Sequence, residues 1–203
     1  MIAVIDYGVG NLFSVEKALV AVGAEVEVTS DAGRLREAEK IVLPGVGAFG
    51  DCMKNLEATG LVPVLKQEIE KGKPLLGICV GLQILFEGSE ESPGVEGLGI
   101  LPGMVRRIEA EGLKVPHMGW NSLEIRNPRQ ERDLFAGLGE KPYVYFVHSY
   151  HVVPQDASVI TATASYGSDL TASIAKGHVQ ATQFHPEKSG DVGLEILKNF
   201  MES

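Results

Sequence analysis

The sequence predicts an α/β fold: a single domain over residues 1–203, in which helices flank a central mixed, mostly parallel sheet with an antiparallel C-terminal part. Three observations predict this class. The N-terminal half alternates short apolar runs with amphipathic stretches, as β-α units around a parallel sheet do. From about Leu98 onward the segments become β-rich. The 203 residues are 44% hydrophobic and 22% charged, which suffices for one large core.

Strands are predicted in the N-terminal half where short apolar runs occur, and helices where apolar residues recur three or four positions apart. The expected strands are 2–6, 24–29, 40–43 and 74–78. The expected helices are 11–22, which stops at Gly23, 60–72, which is bounded by glycines, and 80–86, which follows Cys79 directly.

The C-terminal half predicts strands in antiparallel or mixed pairing, followed by a closing helix. The expected strands are 104–108, 122–125, 143–151, 158–165, 170–176 and 179–184. The closing helix is expected at 192–201, where Leu194, Leu197 and Phe200 share one face.

Charge and composition exclude several classes of protein. There are 27 Asp and Glu against 18 Lys and Arg, a net charge of −9, which disfavours a nucleic-acid partner. Cys52 and Cys79 are the only cysteines, too few for a disulfide scaffold, and free thiols suit the cytoplasm. No apolar run approaches the ~20 residues of a membrane span, so we expect a soluble protein without a membrane partner.

The strongest local motif is Gly-x-Cys-x-Gly, in which Gly77 and Gly81 flank Cys79 between a predicted strand and a predicted helix. A tight strand-to-helix turn crowds the backbone, so glycines two residues before and after the nucleophile leave room. The helix N-terminus favours thiolate, and the amide of Val80 would contribute to an oxyanion hole. A buried structural cysteine is the alternative interpretation.

A thiolate nucleophile needs a base and a group that orients the base. His185 follows the predicted strand 179–184, at a strand end where catalytic side chains of α/β sheets collect. In extended geometry His185 and Glu187 would face the same way, and Pro186 would stiffen the pair. A surface turn explains the same residues equally well.

The stretch 43–50 supports a rival hypothesis, because Gly45, Gly47 and Gly50 match the dinucleotide pattern G-x-G-x-x-G after a strand. The acids about 20 residues on, Glu68 and Glu70, fall inside a predicted helix, whereas that pattern expects a strand end. Alternatively, residues 44–47 form a flexible backbone strand that offers amides to an oxyanion.

Two further interpretations concern binding. His148 and His151 lie in one predicted extended run, so they should point to opposite faces and form no metal site. No spacing in the chain indicates a metal ion or an organic cofactor. A catalytically inert interaction module remains an alternative to an enzyme.

Six stretches together resemble the class I, triad-type glutamine amidotransferases, and most closely the glutaminase subunits of imidazole glycerol phosphate synthases in histidine biosynthesis. They are IDYGVGN (5–11), PGVGAFG (44–50), GICVGLQ (77–83), PHMGWN (116–121), FVHSY (146–150) and QFHPEKS (183–189). The resemblance covers essentially the whole chain. A glutaminase that serves another synthase, in anthranilate, purine or pyridoxal phosphate assembly, is the alternative within the family.

The resemblance implies attack on the glutamine side-chain amide, release of ammonia and hydrolysis of a glutamyl thioester. It implies Cys79 as nucleophile, His185 as general base and acid, and Glu187 as the orienting carboxylate. The remaining implied residues are Val46 and Val80 for the oxyanion hole, Gly47, Gln83, Ser149 and Tyr150 for the substrate, and Asn11, Trp120, Tyr143, Tyr145 and Lys188 for the partner interface and ammonia gate. The implied partner is a (β/α)₈ barrel synthase subunit that receives the ammonia, so a heterodimer is expected. The subunit is expected to be nearly inactive until its partner binds substrate.

Overall fold

The computed structural model describes residues 1–126 and 133–203. The strands are β1 (Ile2–Ile5), β2 (Val26–Thr29), β3 (Lys40–Gly45), β4 (Leu75–Cys79), β5 (Gly88–Ser89), β6 (Gly103–Arg107), β7 (His117–Ser122), β8 (Glu124–Ile125), β9 (Tyr143–His148), β10 (Tyr150–Pro154), β11 (Ile160–Ser165), β12 (Asp169–Lys176) and β13 (Val179–Thr182). The helices are α1 (Leu12–Ala21), α2 (Ala32–Glu37), α3 (Phe49–Ala58), α4 (Val62–Glu70), α5 (Val80–Gln83) and α6 (Gly190–Glu202).

The main sheet has eight strands in the order β2-β1-β3-β4-β13-β12-β11-β8. The pairings from β2 to β13 are parallel, and those from β13 to β8 are antiparallel. Strands β1 and β4 are buried along their whole length, as expected for parallel strands covered on both faces. The predicted mixed, mostly parallel sheet is therefore confirmed.

The topology places three functional segments side by side. Strands β3, β4 and β13 are neighbours and parallel, so their carboxyl ends meet at one edge of the sheet. Residues 44–47 lie at the end of β3, Cys79 ends β4, and His185 follows β13. We call this edge of the sheet the catalytic edge, because ligand sites of open α/β sheets form outside the carboxyl ends of strands.

Two smaller sheets complete the architecture. Strands β10, β6 and β5 form one, and β7 pairs antiparallel with β9 in the other, which we call the β7–β9 ribbon. The predicted strand 143–151 is thus wrong as a single element. It breaks at Ser149, because β9 pairs with β7 whereas β10 pairs with β6 in a different sheet.

Other element predictions also need correction. The predicted strand 122–125 is split between the end of β7 and the short β8, and most of β7 was not predicted. The predicted helix 80–86 ends at Gln83, because the next amides form turns: Leu85 N–H donates to Leu82 and Phe86 N–H donates to Gln83. Helices α2 and α3 and strand β5 were not predicted at all.

The hydrophobic core is continuous from the parallel strands to the flanking helices. Its largest fully buried side chains include Phe49 of α3, Phe146 of β9, Phe184 after β13 and Phe200 of α6. Phe146 and Phe184 pack edge to face, with ring centroids 5.8 Å apart. This contact packs the ribbon against the segment that carries His185.

Candidate active site

Cys79 occupies a strained turn between β4 and α5. Its φ of 56° and ψ of −111° make it the one non-glycine residue with positive φ among residues 1–126 and 133–203. Such a conformation is costly for a residue with a Cβ, and strain of this kind concentrates at functional sites. The turn puts the Cys79 thiol at the first turn of α5, where backbone N–H groups lack partners within the helix.

The flanking glycines are required by close backbone contacts. A Cβ on Gly77 would lie 2.9 Å from the carbonyl oxygen of Gly81, and a Cβ on Gly81 would overlap the carbonyl of Leu43. A Cβ on Gly45, at the end of β3, would lie 2.7 Å from the amide nitrogen of Gly81. Strands β3 and β4 therefore approach α5 more closely than any side chain allows, and this brings residues 44–47 next to Cys79.

His185 and Glu187 form a buried pair beside Cys79. The Nδ1 of His185 is 2.8 Å from Oε1 of Glu187, and the two side chains are 2% and 1% exposed. The expected extended geometry of this pair is wrong, because Pro186–Lys188 is a single 3₁₀ turn. The turn folds the carboxylate back onto the imidazole, so the expected pairing occurs through a different backbone conformation.

The charges around His185 favour its protonated form. Burial alone would lower the pKa of the imidazole, but the Cys79 sulfur and then the Glu187 carboxylate outweigh burial and raise this pKa to about 9. His185 Nε2 is buried, and no group of the described residues lies in hydrogen-bonding geometry to it. With Nδ1 directed to Glu187, Nε2 is the ring nitrogen left to exchange protons with a bound group.

A cavity of about 670 Å³ opens over Cys79 and His185. Among its lining residues are ten of the candidates from the sequence: Asn11, Val46, Gly47, Cys79, Val80, Gln83, Ser149, Tyr150, His185 and Lys188. Glu187 does not line it and lies behind His185, as an orienting carboxylate should. Trp120, Tyr143 and Tyr145 also do not line it.

Two side chains donate hydrogen bonds to the backbone of residues 44–47. The Tyr7 hydroxyl donates to the Pro44 carbonyl at 2.5 Å, and the Cys52 thiol donates to the Val46 carbonyl at 3.4 Å. Burial raises the pKa of Cys52 to about 11 and that of Tyr7 well above its usual range, so both remain protonated donors at neutral pH. Gly47 has a φ of +94°, a backbone conformation that residues with a side chain rarely adopt.

The opposite wall of the cavity is built where β9 ends and β10 begins. Ser149 and Tyr150 lie at this break, and the side chain of Gln83 donates from Nε2 to the Tyr150 carbonyl at 3.1 Å. The same nitrogen is 3.0 Å from Oε1 of Gln183, a fully buried residue. Gln183 in turn places its Nε2 3.7 Å from the Cys79 sulfur.

Sequence reasoning missed two residues of this site, Gln183 and Glu91. Glu91 lines the cavity, and its Oε2 accepts a hydrogen bond from the amide of Phe49 at 2.8 Å, at the N-terminus of α3. It lies in the Gly- and Ser-rich stretch 88–97, where neither periodicity nor a motif distinguishes Glu91 from the other glutamates. Gln183 stands two residues before His185, so its proximity to the histidine was the available signal.

Three of the interface candidates lie on the outer face of the β7–β9 ribbon. Trp120 and Tyr143 are each 57% exposed, and Trp120 packs edge to face on Tyr145 with ring centroids 6.2 Å apart. Met118, on the same face because it is two residues from Trp120, is 62% exposed. This outer face is an exposed apolar surface close to a cavity that Asn11 and Lys188 help to line.

A buried histidine relay joins the ribbon to the cavity wall. His148 Nδ1 is 2.9 Å from the Tyr150 carbonyl, His117 Nδ1 is 2.8 Å from His148 Nε2, and Asn121 Nδ2 is 3.2 Å from His117 Nε2. Because a carbonyl only accepts, each histidine carries its proton on Nδ1. Burial lowers the pKa of His117 to about 4 and that of His148 to about 3, which keeps both rings neutral.

His148 thus packs against His117 of the neighbouring strand, and His151 lies beyond the break at Ser149. Within residues 1–126 and 133–203 no group of three or more side chains is arranged to hold a metal ion. Over the same residues, no helix has the length and apolar character needed to cross a membrane.

Comparison with known proteins agrees with this geometry. The family "Glutamine amidotransferase class-I" matches residues 3–203. Proteins named imidazole glycerol phosphate synthase subunit HisH are 53% identical in Syntrophotalea carbinolica, with 98% of each chain covered, and 54% identical in Aquifex aeolicus, with 97% of this chain and 94% of that one covered. The fold matches PurLQS from Thermotoga maritima with a TM-score of 0.76 at 22% identity, over 98% of this chain and 96% of that one.

Proposed function

Because the chain belongs to the class I glutamine amidotransferases, we propose that its catalytic edge hydrolyses L-glutamine to glutamate and ammonia. We infer that it is the glutaminase subunit of an imidazole glycerol phosphate synthase in histidine biosynthesis, as are the proteins named HisH to which it is similar. The observation that carries the proposal is Cys79 at a strained turn beside the buried His185–Glu187 pair, with Cys79 and His185 lining one cavity. The dinucleotide alternative is not favoured, because the family that matches residues 3–203 and the relatives of 53–54% identity are amidotransferases and synthase subunits.

The first half of the reaction forms a thioester. The Cys79 sulfur attacks the side-chain amide carbon of glutamine, and the carbonyl electrons move onto oxygen. As this intermediate collapses, the C–N bond breaks and His185 Nε2 gives its proton to the departing nitrogen, which leaves as ammonia. Because the pKa of His185 is about 9, its imidazole is protonated at neutral pH and can give that proton. Glu187 keeps Nε2 directed at the reacting atoms.

The second half hydrolyses the thioester. His185 takes a proton from water through Nε2, the hydroxide oxygen bonds to the thioester carbon, and the C–S bond breaks to release glutamate. In both halves the negative oxygen develops beside the amides of Val46 and Val80. Tyr7 and Cys52 fix the carbonyls of residues 44 and 46, so the strand that carries the Val46 amide is anchored on both sides of it.

Substrate recognition uses the remaining walls of the cavity. Gly47, Gln83, Ser149 and Tyr150 line it and offer backbone and amide groups to the amino-acid part of glutamine. Glu91 adds the negative charge that the α-ammonium group requires, and its hydrogen bond to Phe49 N–H keeps the carboxylate in place. The two buried, free cysteines suit a reducing compartment such as the cytoplasm.

The ammonia is passed to a (β/α)₈ barrel cyclase that docks on the outer face of the β7–β9 ribbon. Support comes from the exposed aromatic rings of Trp120 and Tyr143, since exposed apolar surface with aromatic anchors is typical of binding sites. Tyr145 packs beside Trp120, and Asn11 and Lys188 line the same cavity as Cys79. The gate for ammonia is assigned to these five residues.

The test measures glutamate release from L-glutamine by the chain alone and by the chain mixed with the barrel cyclase and its nucleotide substrate. We expect strong release in the mixture and a loss of about 10⁴-fold or more for Cys79→Ala. Synthesis from free ammonium by the Cys79→Ala mixture should persist, because the variant leaves the partner intact. Loss of both activities would contradict the assigned role, and release that the cyclase does not affect would reassign the pathway.

A further inference from the structure

The side chain of Gln183 contacts the nucleophile. This residue is fully buried, and its Nε2 lies 3.7 Å from the Cys79 sulfur, within hydrogen-bonding distance for sulfur. We propose that Gln183 is a catalytic residue whose amide donates to the Cys79 thiolate, holds the sulfur in its attacking position and carries part of its charge. The inference deepens the proposed function, since it rests on Cys79 as the nucleophile.

The orientation of the Gln183 amide is fixed by its neighbours. The Tyr150 carbonyl can only accept, so the Gln83 group that faces it must be the NH₂ end. The same NH₂ group faces Gln183 at 3.0 Å, so the Gln183 atom there must be Oε1. The Nε2 of Gln183 is therefore the atom directed at the sulfur. The Tyr150 carbonyl accepts a second hydrogen bond, from His148 Nδ1.

The reaction gives such a donor a purpose that His185 does not meet. His185 changes its protonation state in each half of the reaction, so the charge beside the sulfur is not constant. An amide N–H exchanges no proton and offers the same hydrogen bond when thiolate attacks and when thiolate leaves. Hydrogen bonds to a charged group are stronger than those between neutral groups, so the contact favours the reactive form of Cys79.

A purely structural role would explain the burial and the Gln83 contact without any effect on the sulfur. Two variants separate these interpretations. Gln183→Glu keeps the shape and an oxygen acceptor for Gln83 but removes the N–H at the sulfur. Gln183→Met keeps an unbranched chain of similar length without either polar atom. If Gln183→Met fails to fold, the isosteric Gln183→Glu still tests the donor.

The first measurement is the rate at which iodoacetamide alkylates Cys79 at neutral pH, with the labelled peptide identified by mass spectrometry. Alkylation needs the thiolate but forms no oxyanion and requires no glutamine turnover. We expect both variants to slow it by about ten- to a hundredfold, the worth of one hydrogen bond to a charged group. The pH–rate profile should move to higher pH in both.

The second measurement is glutamate release with the barrel cyclase present. We expect kcat to fall by about the same factor, with the KM for glutamine changed by less than about threefold, since the contact acts on the nucleophile. The matched control is Gln180→Met, because Gln180 is a buried glutamine of β13, the strand that Gln183 directly follows, and pairs with Leu76, away from Cys79. The control should leave both rates unchanged.

Unchanged alkylation in folded Gln183→Glu and Gln183→Met would overturn the proposal, as would equal slowing by the Gln180→Met control. The proposed function fails separately. If wild-type chain releases no glutamate while its Cys79 alkylation still depends on Gln183, the glutaminase assignment is wrong and the donor role of Gln183 stands.

Discussion

The catalytic edge and the β7–β9 ribbon differ in how far the chain buries the side chains that are proposed to act there. At the catalytic edge, His185 and the Glu187 side chain are almost fully buried, paired to each other and beside a cysteine held in a strained turn. On the ribbon, Trp120 and Tyr143 leave more than half of their surface exposed. We infer from this difference that the chain assembles its proposed nucleophile and base by itself, whereas the outer face of the ribbon is left for a second chain to cover.

The two regions are nevertheless connected through hydrogen bonds. The histidine relay runs from Asn121 in the ribbon through His117 and His148 to the Tyr150 carbonyl. From there, Gln83 and Gln183 continue to the Cys79 sulfur. Asn121 of the ribbon and the Cys79 sulfur are therefore joined by an unbroken series of polar contacts.

The largest effect is expected from disrupting the pair at the catalytic edge. Glu187→Gln should lower kcat for glutamate release by about 10²- to 10⁴-fold, as loss of the orienting carboxylate does in other triads.

The same variant should change how stability depends on pH. Protonated His185 stabilises the fold fully below its unfolded pKa of ~6.5, and this stabilisation is lost as pH rises through about 9. In the variant this loss should occur at lower pH. Unfolding temperature measured across pH 6 to 10, with roughly one-unit steps, checks the shift.

Glu195→Gln is the matched control for that experiment, because Glu195 is a partly exposed acid of α6 that faces Lys198. It should change neither kcat nor the pH at which stability declines. If Glu187→Gln retained wild-type kcat, or if its alkaline decline remained in place, the orienting role of Glu187 would be refuted.

The ribbon should show the opposite behaviour, with partner binding affected and the isolated chain unaffected. Trp120→Ala should weaken binding of the barrel cyclase by about 2 kcal/mol, or about thirtyfold in Kd, as removal of a central aromatic anchor does. The unfolding free energy should change by less than about 0.5 kcal/mol, since the ring is mostly exposed. Isothermal titration with the cyclase and thermal unfolding measure the two quantities. Equal Kd values for the variant and the wild-type chain would place the interface elsewhere.

The smallest effect concerns the relay that joins the two regions. The folded pKa values of His117 and His148 lie below the unfolded value, so the unfolded chain binds more protons between about pH 4 and 6.5 and stability falls as pH falls through that range. His117→Phe keeps the stacking on Phe146 but removes one titrating group. In this variant the unfolding free energy should depend less steeply on pH, by up to about one proton, or about 1.4 kcal/mol per pH unit.

Urea unfolding at several acidic pH values measures that slope. The control is His178→Gln, because His178 is exposed in the turn between β12 and β13. It should leave the slope as it is in the wild-type chain. An unchanged slope in His117→Phe would show that His117 is already protonated in the folded state.

Much of the fold follows from local sequence signals. The parallel strands are short apolar runs buried on both faces, so periodicity finds β1, β3 and β4 within two residues at each end. Helix α2 has only six residues, and its main signal is the Asp31 side chain that caps it by accepting from the Arg34 amide. Helix α3 was hidden by the glycines at its start, although Phe49, Cys52, Met53 and Leu56 follow a helical spacing.

The site divides along the same line. Cys79, His185 and Glu187 carry motifs because strand ends and tight turns impose glycine and proline on their neighbours. Gln183 lies in the stretch 183–189 without a role that the motif indicates, and Glu91 lies in no motif, because the places of both depend on long-range contacts with Cys79 and Phe49. Most of strand β7 and the end of β9 were not predicted, for a similar reason. Strand β7 exists through pairing with β9, and the break at Ser149 is set by which sheet each half joins.

We propose Cys79 as the nucleophile of a glutamine-binding cavity. The most direct measurement treats the chain with a diazoketone analogue of glutamine, which alkylates the nucleophile of the occupied site, and maps the labelled peptide by mass spectrometry. We predict one label per chain, on Cys79 and none on the buried Cys52, with L-glutamine protecting against it. A label on another residue, or labelling that L-glutamine does not slow, would contradict the claim.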